Sequence, residues 1–361
     1  MLGRVLVAGF ATRHVVQSAR RAGYAVYTVD HFCDQDLSWY AEECIRFEEL
    51  DEIGERVAEL AQRHPMDILV VTSGAETLTA PVPLYGTSRH QVEKFLDKLD
   101  IQRFLEEHHF PTPPLAGEEE YPAMIKPRRG AGGWRNQVVH SREEKERWLD
   151  LFGENPHIVQ KVVPGTPASV SCLADGSRAR AVAANLQLLR GEGERHYGFS
   201  GSLTPLPDHP LLPRMVRIAE EIAGRSGCVG SVGIDFVLGK EDVCAIEINP
   251  RFQATLDTVE MATGESLFRL HVDACRGVLP GAMPPAERTA VRRILFAERD
   301  RTIRADLSSF SPYVADIPWP GTEVEEGGAI VSVYGWGADA PAAYAMLEKN
   351  AGRVRRILKE R

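Results

Sequence analysis

The sequence predicts a mixed protein, an α/β lobe followed by α+β lobes, and three observations support this fold class. Residues 1–87 alternate short apolar strands with helical patterns, which is typical of a parallel, doubly wound sheet. After a proline-rich connection at Phe110–Pro114, strands and tight turns replace that alternation, as in antiparallel sheets. The chain has 361 residues, which is too long for one compact core. We therefore expect several domains.

The N-terminal lobe is predicted to begin with a β-α-β unit. The expected elements are a strand at Arg4–Gly9, a helix carrying Val15, Val16, Ala19 and Ala22, a strand at Ala25–Asp30, a helix at Glu48–His64 and a strand at Asp67–Thr72. The turn at Gly9–His14 lacks the Gly-x-Gly-x-x-Gly pattern, which disfavours NAD binding and hydride transfer. Asp30 is interpreted as a cap or a substrate contact. Ser73 and Glu76 follow a strand at its carboxyl end, where open α/β sheets bind ligands, although Glu76 also suits a helix N-terminus.

The remaining elements predict a small antiparallel lid lobe, an α+β lobe and a small C-terminal α+β segment. We expect a helical segment over 88–109, strands over 121–127, 136–140, 157–163, 168–174 and 178–189, a helix over 213–225, a hairpin over 231–248, strands over 292–297 and 329–334, and a helix from Pro341. The predicted domains are 1–87, Rossmann-like; 88–165, linker helix and lid; 166–285, the central lobe; and 286–361, the C-terminal subdomain.

Composition excludes several classes of partner. The formal net charge of -9 disfavours nucleic acid and anionic membranes, because both bind cationic surfaces. The apolar segment Val5–Ala11 is too short to span a bilayer and lacks the features of a secretory signal, so we expect a cytoplasmic protein. The six cysteines form no Cys-x-x-Cys pair, and we expect them to be reduced and mostly buried: Cys33, Cys44, Cys172, Cys228, Cys244 and Cys275.

Segment 233–253 contains two apolar strands that carry three oxygen-bearing side chains. Glu247 and Asn249 share one face of a strand because side chains alternate. If the turn is Lys240–Asp242, Asp235 lies opposite Glu247; a loop longer by one residue requires a bulge to restore that pairing. Hard oxygen ligands would then converge as a metal site. The alternative is an ordinary hairpin with solvated acids.

A cationic glycine-rich loop precedes this hairpin by about a hundred residues. Lys126 ends a predicted strand and is followed by the loop Arg128–Arg135, which contains three glycines. Glycine lets main-chain N–H groups turn toward an anion, and lysine adds a charge suited to phosphate. Alone, the loop is more typical of a plain hairpin turn, because Gly-Gly turns between strands are common.

Together the loop and the acidic hairpin predict a magnesium–nucleotide site. Mg²⁺ prefers carboxylate and amide oxygens with phosphates and water, which suits Asp235, Glu247 and Asn249; Mn²⁺ is an alternative. Zinc would require His or Cys ligands, and the eleven histidines form no such pattern.

These motifs resemble the ATP-grasp superfamily of carboxylate–amine ligases and carboxylases over nearly the whole chain. The matching segments, in order, are Asp97–Lys98 followed by Phe110–Pro113, Met124–Pro127 with Arg129–Trp134, Val159–Gly165, and Glu247–Arg251, the last being similar to the family's Glu-x-Asn-x-Arg signature. Lys161 departs from the family's usual hinge residue. The resemblance implies an ATP-grasp fold with ATP and Mg²⁺ as cofactors.

The resemblance also implies roles for individual residues. Nucleotide contacts fall on Lys98, Lys126, Gly130, Gly132, Gly133, Gln160 and the main chain of Val162, and metal contacts on Asp235, Glu247 and Asn249. In the family a carboxylate attacks the γ-phosphate, and an amine then displaces phosphate from the acyl phosphate. Lys126 and Arg251 are therefore the catalytic candidates. Arg251 suits the carboxylate because guanidinium binds it as a fork, although a structural ion pair is the alternative.

The expected function is the joining of a small-molecule carboxylate to an amine, without nucleic acid or membrane partners; a homodimer is left open. The alternatives are a carboxylase related to biotin carboxylase and a catalytically silent nucleotide-binding module. Thr255 stands where biotin carboxylases have a glutamate base, and a hydroxyl cannot act as that base near neutral pH. Within the superfamily the chain most resembles a group of predicted ATP-dependent carboligases. Candidate substrate contacts are Ser73, Glu76, Gln187, Tyr197 and Gln253.

Overall fold

The computed structural model describes residues 2–130, 132–133, 135–153, 155–191 and 196–360. The N-terminal lobe is a four-stranded parallel sheet with strand order β3-β2-β1-β4. Its elements are β1 (Arg4–Gly9), α1 (Arg13–Arg21), β2 (Ala25–Asp30), β3 (Glu43–Arg46), α2 (Ile53–Arg63) and β4 (Ile68–Val71). Val5 and Val7 pack in the apolar cluster of α1, whereas Leu6 and Ala8 pack in that of α2. Helices cover both faces, which confirms the doubly wound arrangement.

The segment between the first two lobes is interrupted. In place of one helical segment over 88–109, the structure has α3 (Arg89–Val92) and α4 (Lys98–Glu107). Asp97 causes the break: it has extended backbone, and its carboxylate accepts a hydrogen bond from the main-chain N–H of Leu99 at 2.9 Å. This N-cap starts a new helix at Lys98 and fixes where that lysine projects.

The lid lobe is a three-stranded antiparallel sheet covered by a helix. It comprises β5 (Ala123–Pro127), β6 (Gln137–Val139), α5 (Arg142–Phe152) and β7 (His157–Lys161), with strand order β6-β5-β7. Trp148 of α5 is 1% exposed and packs on Ala123 and Ile125, so one large side chain holds the helix on the sheet.

The rest of the chain forms one eight-stranded sheet, with order β12-β11-β8-β9-β10-β13-β17-β15. Its strands are β8 (Thr166–Asp175), β9 (Ala179–Leu189), β10 (Phe199–Thr204), β11 (Val229–Leu238), β12 (Val243–Asn249), β13 (Thr289–Phe296), β15 (Val314–Ala315) and β17 (Ala329–Gly337); β14 (Arg301–Ile303) and β16 (Thr322–Val324) pair separately. The C-terminal strands enter this sheet through the antiparallel pairing of β13 with β10.

Helices lie on both sides of this sheet: α6 (Leu212–Arg225), α7 (Leu256–Thr263), α8 (Leu267–Cys275) and α9 (Ala340–Glu360). The buried residues of α6 recur at helical spacing and pack in the cluster that contains Val170 and Ile234. Phe268 of α8 packs in the cluster of Val15 and Val16 from α1. The N-terminal lobe therefore sits directly on the helices that follow the predicted metal strand.

The cysteine prediction was wrong for one pair. Cys33 and Cys44 form a disulfide between the loop after β2 and strand β3, with Cα atoms 6.3 Å apart. The pairing depends on β3, which the sequence analysis did not predict, so no motif indicated it. Of the free cysteines, Cys172 and Cys228 are buried. Within the described residues, no helix is both long and apolar enough to cross a membrane.

Candidate active site

The acidic hairpin places Asp235 opposite Glu247. The loop connecting β11 and β12 spans residues 239–242, which is one residue longer than the three-residue turn Lys240–Asp242. A bulge after Asp235 restores the pairing, as expected for the longer loop. Asn249 lies two residues beyond Glu247 and donates to Asp235 Oδ2 from its amide at 3.2 Å. The three candidate metal ligands therefore converge on one face of the sheet.

Asp235 lies in a crowded, anionic environment. Burial and, to a lesser extent, the charge of Glu247 raise its pKa to about 7 against the opposing effect of Arg251. Gln187 of β9 donates to Asp235 Oδ1 at 2.8 Å. Two facing carboxylates that resist joint ionisation are stabilised by a bound cation, so the pair is chemically suited to a divalent metal ion.

Lys98 connects this hairpin to the glycine loop. Its Nζ lies 3.5 Å from Glu247 Oε1 and donates to the main-chain carbonyl of Gly130 at 2.8 Å. Its main-chain N–H donates to the carbonyl of Arg128 at 2.8 Å. The Arg128 guanidinium in turn pairs with Asp97 at 2.7 Å. The start of α4, the loop and the metal strand are thus held against each other by one lysine and one ion pair.

Lys126 lies within electrostatic range of Glu247 and Lys98. It is 8% exposed, and burial lowers its pKa to about 8, with Glu247 acting to raise the pKa and Lys98 to lower it. These charge interactions place Lys126 near both the acid and the other lysine. The sequence analysis predicts that Lys126 and the Asp235–Glu247–Asn249 set share one cavity. The charge interaction of Lys126 with Glu247 agrees with that arrangement, and the shared cavity itself stays a prediction.

The glycine loop packs against the hairpin formed by β9 and β10. The main-chain carbonyl of Gly132 accepts from the N–H of Phe199 at 3.1 Å. A Cβ on Gly133 would lie 2.1 Å from the carbonyl oxygen of Tyr197, so only glycine permits this approach. The structure thus places Tyr197 beside the loop through its main chain. Two residues of the loop motif, Ala131 and Trp134, lie outside the described residues.

The predicted adenine hinge contains an unsatisfied polar atom. Gln160 is 3% exposed and donates through Nε2 to Gln102 Oε1 at 2.6 Å, while its buried Oε1 has no partner among the described residues. Val162 lies just beyond the end of β7 and is half-buried. An adenine 6-amino group is a donor that would satisfy Gln160 Oε1. Gln102 was not predicted from the sequence. The feature that indicates it is an amide side chain among the buried residues of α4.

Arg251 is positioned by the N-terminal lobe. Its Nε donates to Glu76 Oε1 at 3.0 Å, and Nη2 donates to Asn249 Oδ1 at 3.3 Å. Glu76 lies in a loop, where its Oε2 accepts from the N–H of Gly74 at 2.7 Å, so it is not a helix N-terminal acid. Gln253 donates to the main-chain carbonyl of Arg251.

Ser73 lies at the same edge of the first sheet, where its carbonyl accepts from the N–H of Phe10 at 2.7 Å. Asp30 accepts hydrogen bonds from Thr12, Phe32 and Cys33, which makes it a structural cap. The residue is 2% exposed, and both of its carboxylate oxygens accept hydrogen bonds from the protein.

The sequence profile of the ATP-grasp domain matches residues 95–255. This segment is an ATP-grasp domain. The match includes both lysines, the glycine loop, the hinge and the metal strand described above. It confirms, for this segment, the ATP-grasp superfamily and fold expected from the sequence.

A related sequence is the carbamoyl phosphate synthase large chain of Thermomicrobium roseum. It is 29% identical over 229 residues, which cover 58% of this chain and 21% of that protein. The match therefore spans about a fifth of the relative's length.

Solved ATP-grasp structures align over almost the entire chain. The biotin carboxylase–β,γ-ATP complex from Campylobacter jejuni has a TM-score of 0.78 at 16% identity and covers 95% of this chain and 89% of that one. The L-amino acid ligase from Bacillus licheniformis has a TM-score of 0.72 at 15% identity, with 97% of each chain covered. At these identities the likeness is one of fold.

The ATP-grasp site fits a metal held jointly with phosphates. Among the described residues no group of three His, Cys, Asp or Glu side chains forms a metal cluster. The candidate set instead has two carboxylates and one amide, which leaves coordination positions for phosphate oxygens and water. The raised pKa of Asp235 and the unpaired Gln160 Oε1 are the structural features that a metal ion and an adenine ring would satisfy.

Proposed function

We propose that this protein is a Mg²⁺-ATP-dependent ligase that activates a small-molecule carboxylate as an acyl phosphate and joins it to an amine. The observation that carries the proposal is the position of Lys98 Nζ, which contacts both the Gly130 carbonyl and Glu247. One cation thereby links the phosphate loop to the metal strand, with Lys126 buried beside them. A triphosphate bound there is neutralised from both sides.

Each of the residues around Lys98 is assigned a role that its position supports. Lys98 and Lys126 bind phosphate oxygens, and the loop at Gly130, Gly132 and Gly133 covers them. Gln160 and the main chain of Val162 bind adenine. A metal ion supplies positive charge at the phosphates and is held by the ligand set Asp235, Glu247 and Asn249.

The chemical step joins the substrate carboxylate to the γ-phosphorus. A carboxylate oxygen forms the new P–O bond as the bond to the bridging oxygen of ADP breaks, and ADP leaves with that electron pair. The amine then attacks the acyl carbon, loses a proton and expels phosphate, which leaves an amide. Arg251 suits the carboxylate because Glu76 and Asn249 fix its guanidinium beside the metal strand.

A carboxylase of the biotin carboxylase kind is a weaker candidate. Thr255 occupies the position of the base implied by that resemblance, and its side chain is buried. It is 3% exposed, and its hydroxyl lies 3.3 Å from Ser171 Oγ. A buried threonine hydroxyl paired with serine has neither the pKa nor the access required of that base.

The test is an ADP-release screen with Mg-ATP against pairs of carboxylates and amines, including amino acids and dipeptides. The proposal expects ADP and phosphate to appear in equal amounts only when both substrates are present. ATP binding without release for any pair would favour the silent module, and release with bicarbonate alone would favour a carboxylase.

A further inference from the structure

Three aromatic rings form a contiguous group at the carboxyl edge of the first sheet, which we call the aromatic patch: Phe10, His31 and Phe32. Phe10 stacks on His31 with centroids 4.7 Å apart and an interplanar angle of 12°. Phe32 packs edge-on against both, at 5.2 Å from Phe10 and 4.9 Å from His31. Each ring thus contacts the other two.

The aromatic patch remains open to solvent although two of its three rings, those of Phe10 and Phe32, are large and apolar. Phe10 and Phe32 are each 40% exposed. Isolated exposed apolar residues need no explanation, but a mutually packed group at the ligand edge of an α/β sheet does. Exposed ring faces and edges of this kind stack against planar rings.

The protein holds the aromatic patch in a fixed geometry. The main-chain N–H of His31 donates to the carbonyl of Phe10 at 3.3 Å, which ties together the loops that follow β1 and β2. Asp30 accepts from the N–H groups of Phe32 and Cys33, both at 2.8 Å, and Cys33 is bonded to Cys44. A preorganised surface loses little entropy on binding a ligand.

A short series of contacts connects the aromatic patch to the proposed carboxylate site. The main-chain N–H of Phe10 donates to the carbonyl of Ser73 at 2.7 Å, which places Phe10 beside Gly74. The N–H of Gly74 donates to Glu76, and Glu76 accepts from Arg251. The aromatic patch is therefore linked to Arg251 through Gly74 and Glu76.

We propose that the aromatic patch is a specificity site that takes a planar aromatic ring carried by one of the two substrates. The inference rests on the proposed function and narrows its substrate class. The ring belongs to the carboxylate or to the amine, since both must meet at the acyl carbon. Phe10 and Phe32 select the substrate and take no part in the chemical step.

The test compares binding of ring probes in the presence of Mg²⁺ and a nonhydrolysable ATP analogue. Benzoate is measured against cyclohexanecarboxylate, and benzylamine against cyclohexylmethylamine, by calorimetry. The proposal expects the planar member of one pair to bind roughly threefold to tenfold more tightly. Phe10→Leu and Phe32→Leu should remove that preference while leaving ATP-analogue binding unchanged. Trp39→Leu is the matched control, because Trp39 is 43% exposed and lies outside the aromatic patch.

Two results would overturn the assignment. In the first, the wild-type chain binds the ATP analogue but binds planar and saturated probes equally or not at all. That result would contradict the specificity site without contradicting the proposed function. Conversion of a dimer to a monomer in Phe10→Leu or Phe32→Leu would show that the aromatic patch is an interface between copies. Failure of the wild-type chain to bind Mg-ATP would instead contradict the proposed function.

Discussion

Glu247 joins the two halves of the proposed site, because its carboxylate lies opposite Asp235 and 3.5 Å from Lys98 Nζ. The Glu247→Gln variant keeps the shape of the side chain but removes the charge that a metal ion and Lys98 require. We expect at least a hundredfold loss of ADP release, on the scale of losing charge stabilisation in the transition state. Thermal melting should show an intact fold.

The matched control is Glu241→Gln, because Glu241 is an exposed acid in the loop of the same hairpin. It should retain wild-type ADP release. Near wild-type activity in Glu247→Gln would contradict the metal assignment.

Lys126 makes ATP binding depend on pH in a defined direction. Burial lowers its pKa to about 8, so the free enzyme carries this charge below pH 8 and loses it above. Bound phosphate favours the protonated form. ATP affinity should therefore be insensitive to this group below pH 8 and fall by up to about tenfold per pH unit above it.

Calorimetric titration of Mg-ATP from about pH 7 to 9 measures this effect. The Lys126→Arg variant is the control, because guanidinium stays charged over that range, so its ATP affinity should not fall above pH 8. A wild-type affinity that is unchanged above pH 8 would show that Lys126 does not contact phosphate.

At the residue scale, sequence reasoning identified the chemical groups but not what holds them. Asp235, Glu247 and Asn249 follow from strand alternation, which is a local rule. The Glu76–Arg251 contact joins residues far apart in sequence and depends on how the N-terminal lobe docks. No spacing pattern encodes such a contact.

At the element scale, the glycine loop provides a test with an internal control. Gly132 and Gly133 have nearly the same backbone, with φ of +70° and +71°. A Cβ on Gly133 would collide with Tyr197, whereas one on Gly132 meets nothing within 4 Å. Left-handed backbone destabilises both alanine variants equally, by about 1–2 kcal/mol. Only Gly133→Ala also separates the loop from the β9–β10 hairpin.

We expect Gly133→Ala to weaken Mg-ATP binding at least tenfold more than Gly132→Ala, measured by calorimetry; the factor corresponds to a clash costing about 1.4 kcal/mol. Equal effects of the two variants would mean that packing of the loop on Tyr197 does not matter for nucleotide binding.

Elements were predicted well where a local pattern exists. The long hairpin was predicted from the alternation of side chains in β11 and β12. The same alternation predicted that a longer loop requires a bulge. The segment 88–109 was expected to be helical but breaks at Asp97, whose capping competes with helix continuation. Strand β3 was missed because its four residues, Glu43–Arg46, show no continuous apolar run.

At the scale of the whole molecule, Arg13 connects the N-terminal lobe to the large sheet. It is 2% exposed and pairs with Asp257 of α7 at 2.6 Å and with Asp316 at 2.9 Å. Burial opposes ionisation of Asp257, but the charge and hydrogen bond of Arg13, together with the charge of Arg292, lower its pKa to about 2. This contribution to stability is complete above about pH 4 and is lost as the pH falls toward 2.

Arg13→Met leaves the buried Asp257 without its ion-pair partner and removes one of the two arginines that pair with Asp316. We expect a loss of about 3–5 kcal/mol in the free energy of unfolding. Arg20→Met, on the same helix, removes an exposed pair with Glu42 and should cost less than about 1 kcal/mol. Urea unfolding near neutral pH measures both. Equal losses would mean that the Arg13 network does not hold the lobes together.

The large-scale arrangement was only partly predictable. The alternation of strands and helices in residues 1–87 predicted the parallel sheet, because consecutive elements pair locally. The entry of residues 289–296 into the central sheet beside β10 is a pairing across almost ninety residues, and it depends on a strand that the sequence analysis did not find. Such long-range pairing is set by packing of the whole chain rather than by local pattern.

Hydrogen exchange on the intact chain, with and without Mg-ATP, tests most directly whether one triphosphate is shared by the glycine loop and the acidic hairpin. Mg-ATP should slow amide exchange in both the 128–133 loop and the 243–249 strand, and EDTA should remove most of this protection. Protection of only one of these segments, or of neither, would contradict the shared triphosphate.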